Sequence, residues 1–160
     1  DSTGLFLTMW RTAKERGYGK KDIGQFEKSG YIFGVNGAVS FYRRKMLEDI
    51  KLGSDYFDSD LRIFYEDLDI AWRAHKFGWK GYYIPGAIAY HIRGGTVRQG
   101  KGMNKRYARH FLSDDLHFDL FKNKYLTIIK NETFFEFLLH LPFIVIYDIF
   151  LWSYLLIFKF

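Results

Sequence analysis

Apolar and polar positions change period along the chain, and each change predicts an element. At the centre, Leu68, Ala71, Trp72 and His75 fall at i, i+3, i+4 and i+7, one face of a helix, and Gly78 stands where a left-handed C-terminal cap belongs. Upstream, Leu5 to Ala13 predicts a strand or a short helix, and Gly17 to Gly24 a loop. Tyr31 to Tyr42 is apolar and β-rich, broken by Gly34 and by Asn36-Gly37-Ala38. A glycine inside such a pattern marks either a bulge that shapes the sheet or a close approach of backbone or ligand. Arg43 to Ile50 predicts a helix, and Gly53 to Asp60 a turn-rich approach to the centre. Downstream, Gly81-Tyr82-Tyr83-Ile84-Pro85 predicts a short strand stopped by proline, Ala87 to His91 a second strand, and Asn104 to Lys130 a helical segment.

From Phe134 to Phe160 the chain turns strongly apolar and aromatic. Spanning a bilayer takes about 20 apolar residues, whereas the charge-free runs here, Phe137 to Tyr147 and Ile149 to Phe158, are 11 and 10 long. Asp148 separates them, and an aspartate at the bilayer centre costs ~2.5 to 3.5 kcal/mol on insertion scales. Pro142 is expected to divide the tail into two helices, because proline is tolerated at a helix start and breaks an interior. The favoured expectation is amphipathic helices lying in the membrane interface. A true span and a helix pair covered by a partner are the other two readings.

Composition narrows the picture. The 160 residues, 48% of them hydrophobic, can bury one core, and nothing looks like a linker between two, so one domain or part of one is expected. The absence of cysteine excludes disulfides, thiolate zinc sites and cysteine nucleophiles. The opening Asp1-Ser2-Thr3-Gly4 carries no signal-peptide pattern and is expected to be a cut rather than a true terminus. Net charge is +6, and Arg93 to Lys130, with nine basic residues against three aspartates, accounts for all of it. Such a stretch suits a nucleotide diphosphate, an anionic leaflet or nucleic acid. Nucleic acid is set aside, since no helix-turn-helix pattern, zinc spacing or aromatic RNA-binding signature accompanies the charge.

The candidate chemistry gathers at Ile63-Phe64-Tyr65-Glu66-Asp67-Leu68-Asp69-Ile70-Ala71-Trp72-Arg73, where three carboxylates crowd a helix start. Acidic residues in a first turn also stabilise a helix by ~0.3 to 1 kcal/mol, and Asp69 to Arg73 is an ordinary i,i+4 pair. The spacing alone leaves catalysis and helix stabilisation both open. His91, at a strand end, reads as structural or as a metal ligand. Gly94-Gly95 and Gly100-Lys101-Gly102 bracket a loop whose arginines suit an anion, although any exposed loop has a similar composition. Asp58-Ser59-Asp60 has a metal-binding look that arises easily by chance, and the glycines near Gly34 lack the strand, phosphate-loop and helix order of a dinucleotide site.

Taken together, the run Phe33-Gly34-Val35-Asn36-Gly37-Ala38-Val39-Ser40-Phe41-Tyr42-Arg43-Arg44, then Tyr56-Phe57-Asp58, Phe64 to Arg73, Gly78-Trp79, Tyr83-Ile84-Pro85, Ala87 and Tyr90-His91 closely resembles glycosyltransferase family 2, in its bacterial rhamnosyltransferase-like branch. The likeness covers nearly the whole chain. It implies an α/β chain: the C-terminal part of a GT-A, Rossmann-like catalytic domain over residues 1–130, carrying the acceptor side, followed by the membrane-associating tail at 131–160. The implied activity is inverting transfer of a sugar from a nucleotide-diphosphate donor to a saccharide or lipid-linked acceptor, in cell-surface polysaccharide synthesis at the cytoplasmic face of the inner membrane.

By its place in the Glu-Asp motif, Asp67 is implied to be the general base, with Glu66, Asn36, Gly37 and Ala38 on the acceptor side. Arg93 and Arg98 would meet the diphosphate, and His91 would join a Mg or Mn site. The family's first half, with its nucleotide-binding strands and the main metal ligands, has no counterpart here, so the chain is expected to be a C-terminal portion, inactive alone. A non-catalytic, membrane-associated sugar-binding or scaffold module is the alternative, and it would not need Asp67.

Overall fold

The computed structural model describes residues 2–91 and 113–158. Strands β1 (Leu5–Leu7) and β2 (Ala13–Glu15) form an antiparallel hairpin, with Leu5 opposite Glu15 and Leu7 opposite Ala13. Strand β3 (Gly30–Ile32) pairs antiparallel with β4 (Gly81–Tyr83), Gly30 opposite Tyr83. The two ladders are joined where Leu5 N–H donates to the Gly34 carbonyl at 2.8 Å. Between and after them come helices α1 (Arg44–Ile50), α2 (Glu66–Lys76), α3 (Asp114–Asn131) and α4 (Phe134–Phe158). Helices with small sheets place the chain in the α/β class; the pairs among the described residues are antiparallel, and the parallel ladder of a Rossmann-like sheet is not among them.

Helix α2 forms where its periodicity predicts, and Gly78 follows its last turn at φ +79°, a conformation that suits a residue without a Cβ. Its apolar side is fully buried at Leu68 and Ile70. Ile70 and Ala74 pack with Met46 and Ile50 of α1, and Tyr42, Leu47 and Trp79 close the cluster. The β-rich stretch from Tyr31 behaves differently from its pattern. The ladder ends at Ile32, because the chain then lies against α2 so closely that a Cβ on Gly34 would stand 2.5 Å from that of Ala71. The Asn36 side chain next accepts from Ala38 N–H at 2.9 Å and turns the backbone into a 3₁₀ turn, Gly37–Val39. Of the two readings for Gly34, close backbone approach is the one realised.

Two other expectations are corrected. Ala87 to His91 forms no strand: Ala87 N–H closes a turn onto the Ile84 carbonyl at 3.1 Å, and the segment as far as His91 stays exposed, with no strand paired to it among the described residues. The tail is one continuous helix, α4, with Pro142 inside it. Proline removes one backbone bond, while the remaining turns of this strongly apolar helix continue on either side. By length and composition Phe134–Ile157 is long and apolar enough to cross a membrane.

Helix α3 meets the rest of the chain through a polar stripe of Asn123, Lys124, Thr127 and Asn131, all buried. Asn131 Nδ2 donates to Asp69 Oδ1 at 2.7 Å, and Lys76 Nζ to the Asn131 carbonyl at 2.9 Å, so α3 is fastened to α2 at its C-terminal end. Arg11, at the tip of the β1–β2 hairpin, grips Glu132 with Nε and Nη2 at 2.7 and 2.6 Å. This two-pronged geometry favours guanidinium over ammonium.

Candidate active site

The start of α2 is strained. Phe64 and Tyr65 both take left-handed backbone, φ +68° and +72°, which costs an L-residue with a side chain roughly 1 to 2 kcal/mol each. Asn123, wholly buried on α3, holds this turn: its Nδ2 donates to the Ile63 and Phe64 carbonyls at 2.8 and 2.9 Å. The consequence is positional. Glu66 and Asp67 become the first two residues of α2 and stand beside the Asn36-Gly37-Ala38 turn.

Gly37 N–H donates to Asp67 Oδ2 at 3.2 Å, and Leu68 N–H to Oδ1 at 2.8 Å. A Cβ on Gly37 would sit 3.6 Å from the Asp67 Cβ and 3.8 Å from Glu66 Oε1, so glycine leaves open the space over both carboxylates. Burial pushes the Asp67 carboxyl up to about 6, helped by the charge of Glu66 and, more weakly, Glu15, against the lowering effect of the two N–H donors. Glu66 Oε2 is buried and has no hydrogen-bond partner among the described residues. The site therefore offers one carboxyl that titrates near neutrality and one carboxylate oxygen with unused accepting capacity, a combination suited to taking a proton from, and orienting, an incoming hydroxyl.

The residues singled out from the sequence divide in three. Glu66, Asp67, Asn36, Gly37 and Ala38 come together across thirty positions of chain. His91 stands exposed at the edge of the described residues, and no group of three His, Asp or Glu side chains able to hold a metal forms among them. Arg93 and Arg98 lie outside the described residues. The Asp58-Ser59-Asp60 pattern is occupied by a protein cation, since both carboxylates bind Lys130 Nζ.

Two neighbours escaped sequence reasoning. Glu15 of β2 accepts from Asn36 Nδ2, tying the 3₁₀ turn to the hairpin and bringing a third carboxylate toward Asp67. Tyr42 carries a phenol pushed up first by burial and then by the negative charges of Asp67 and Glu66, while Ser40 and Arg73 lower it. Glu15 sits in no motif, and Tyr42 lies within the run that carries the family resemblance without a role drawn for it; both reach the site only through tertiary folding. The one signal available was that Tyr42 closes the segment containing Asn36.

The chain matches the family model for Glycosyl transferase family group 2 over residues 3–160 and belongs to that family. Comparison with curated proteins and with solved structures gave no match. Membership assigns the chain to glycosyl transfer, which in this family works in general between a nucleotide-sugar donor and an acceptor. The paired carboxylates of α2 lie inside the matched residues.

The Asn123 contact has a measurable weight. Asn123→Ala leaves two carbonyls of a strained turn without donors and should lower unfolding free energy by about 2 to 3 kcal/mol in urea titration. A loss below ~0.5 kcal/mol would show that other contacts hold the turn.

Proposed function

We propose that the intact enzyme is an inverting glycosyltransferase that moves a sugar from a nucleotide-diphosphate donor onto a hydroxyl of a saccharide or lipid-linked acceptor, in cell-surface polysaccharide synthesis at the cytoplasmic face of the inner membrane. The observation that carries this reading is Asp67, a carboxyl raised to about 6 beside Gly37 and Glu66 at the start of α2. In the step proposed, the acceptor oxygen attacks the anomeric carbon and its proton passes to an Asp67 oxygen. The bond from that carbon to the diphosphate breaks with its electron pair leaving on the nucleotide diphosphate. One displacement from the opposite face inverts the anomeric centre.

Glu66 Oε2 and the Asn36-Gly37-Ala38 turn orient the acceptor hydroxyl, and glycine at 37 keeps its approach open. Arg93 and Arg98 are proposed to meet the departing diphosphate. A divalent cation, Mg or Mn, is expected for such a leaving group, but the described residues alone do not make its site. His91 is kept as one proposed ligand, the main ones belonging to a nucleotide-binding half outside this chain, and no step above is routed through the metal. Within the rhamnosyltransferase-like reading, residues 1–160 by themselves are expected to transfer nothing.

Asp67 must be ionised to accept the proton, so a raised carboxyl sets the acid limb of activity. For the intact enzyme, kcat/KM should fall tenfold per unit as pH drops below about 6, and stay level just above it. A profile flat across about one unit either side of 6 would remove Asp67 from the role of base.

A further inference from the structure

Helix α4 has two faces that differ only in what covers them. Phe137, His140, Ile144, Tyr147, Leu151 and Leu155 recur at three- and four-residue intervals and, with Leu141, Asp148 and Tyr154 beside them, are buried or half-buried, a stripe running almost the full helix. Over those residues the helix rises about 27 Å at 1.5 Å per residue. The stripe lies against the domain throughout: Arg11 Nη2 approaches His140 Nδ1 at 2.9 Å, Trp10 stacks on Tyr147 with ring centroids 5.9 Å apart, Lys124 binds Asp148, and Phe121 stacks on Trp152 at 5.6 Å. The contacts pair 124 with 148 and 121 with 152, so α3 and α4 run antiparallel. The opposite face is bare and apolar, with Leu139, Ile146, Phe150 and Ile157 between 54% and 72% exposed.

We propose that α4 lies flat in one leaflet's interface, its bare face in the acyl boundary and its covered face carrying the catalytic domain, and does not cross the bilayer. This deepens the membrane reading above and rests on it. Length alone permits a span, but its partner helix forbids one. A crossing α4 would draw α3 into the hydrocarbon beside it, with Asp119 and Lys122 of that helix, where a charge costs up to the ~2.5 to 3.5 kcal/mol of the bilayer centre on insertion scales. Lying flat avoids this and keeps Asp148 paired with Lys124 on the protein side. From Phe137 to Ile157 Asp148 is the only charged residue, so lipid meets no charge on the bare face. The net charge of +6 suits an anionic leaflet. Met9 and the partly exposed Trp10, at the hairpin tip beside Tyr147, add the kind of side chains that settle at headgroup depth.

The chain has no cysteine, so within it each introduced cysteine is the single labelling site, any cysteine in the rest of the enzyme being replaced by serine first. In the intact enzyme, Leu139→Cys, Ile146→Cys, Phe150→Cys and Ile157→Cys, each with a nitroxide, are measured on vesicles of phosphatidylcholine and phosphatidylglycerol. The expected result is salt-sensitive binding to the anionic vesicles and one shallow depth, about 5 to 10 Å, for all four labels. Labels at 146 and 150 near the bilayer centre, about 15 Å deep, with 139 and 157 at opposite surfaces, would overturn the flat pose while leaving membrane association intact. Absence of vesicle binding would overturn both. Labels shielded in solution in proportion to protein concentration would assign the face to a second copy and overturn the proposal equally.

Discussion

Asp67→Asn in the intact enzyme should abolish transfer while leaving nucleotide-sugar binding nearly unchanged. The amide keeps the shape and one of the two N–H contacts from Gly37 and Leu68 but cannot take a proton, and a positioned general base contributes ~10²-fold to 10⁴-fold. Single-turnover rates with donor affinity by calorimetry separate the two effects. Turnover within about tenfold of the parent would sink the assignment.

The same substitution carries a stability signature of opposite sign. Because folding raises the Asp67 carboxyl from 3.8 to about 6, the folded chain binds more protons than the unfolded one in that window. Stability therefore falls as pH rises through it, and the cost is fully present above about 6. Two units correspond to at most ~3 kcal/mol, less ~1 kcal/mol for the N–H bond the amide gives up. Asp67→Asn should thus melt higher than the parent at neutral pH and lose that advantage as pH approaches 4.

Arg73→Leu should be the most destabilising single change in α2. The guanidinium is buried and spends its donors on Asp69 Oδ2 at 2.8 Å, the Ile50 carbonyl at 2.5 Å and the Tyr56 carbonyl at 2.9 Å. Its removal strands a carboxylate that is 1% exposed, leaving it, among the described residues, the Asn131 amide as side-chain partner. Breaking a buried pair from one side costs about 3 to 5 kcal/mol, read from urea titration with thermal melts as a check. A loss near 1 kcal/mol would mean that water reaches Asp69. The i,i+4 spacing of this pair is what an exposed helix shows, and its burial makes it a structural anchor instead.

Local patterns were legible and distant ones were not. The start and glycine cap of α2 follow from the local pattern because helix hydrogen bonds join residues four apart, and α1 appears within one residue of its expected start for the same reason. The predicted face holds only in part, since Leu68, Ala71 and Trp72 are buried but His75 is exposed, and Asp69, Ile70, Arg73 and Ala74 are buried besides. Ala87 to His91 had strand-forming side chains but no neighbouring strand among the described residues, and pairing is what stabilises a strand. Pro142 obeyed a local rule that the rest of an apolar helix overrode. At the site, the nearness of Gly37 to Asp67 was implied by family resemblance. The contributions of Glu15, Tyr42 and Asn123 come from β2, the segment before α1 and α3, and each requires the folded chain to bring it in. Similarly, Lys130 spent on Asp58 and Asp60 cannot be counted as a surface cation, however basic its segment reads.

Asn123 and Lys124 are consecutive residues with different duties, one holding the strained turn that presents Asp67 and the other binding Asp148 of α4. The proposed base and the helix proposed to face lipid are thereby fixed to neighbouring residues of a single rod. With α4 flat as proposed, the stack of α4 and α3 would hold the carboxylate on the order of two helix diameters, roughly 20 Å, over the leaflet. Such a fixed clearance would act as a ruler: an acceptor whose reactive hydroxyl lies within a few sugar units of its lipid anchor would be in reach, while the growing end of a long polymer would have to fold back to enter.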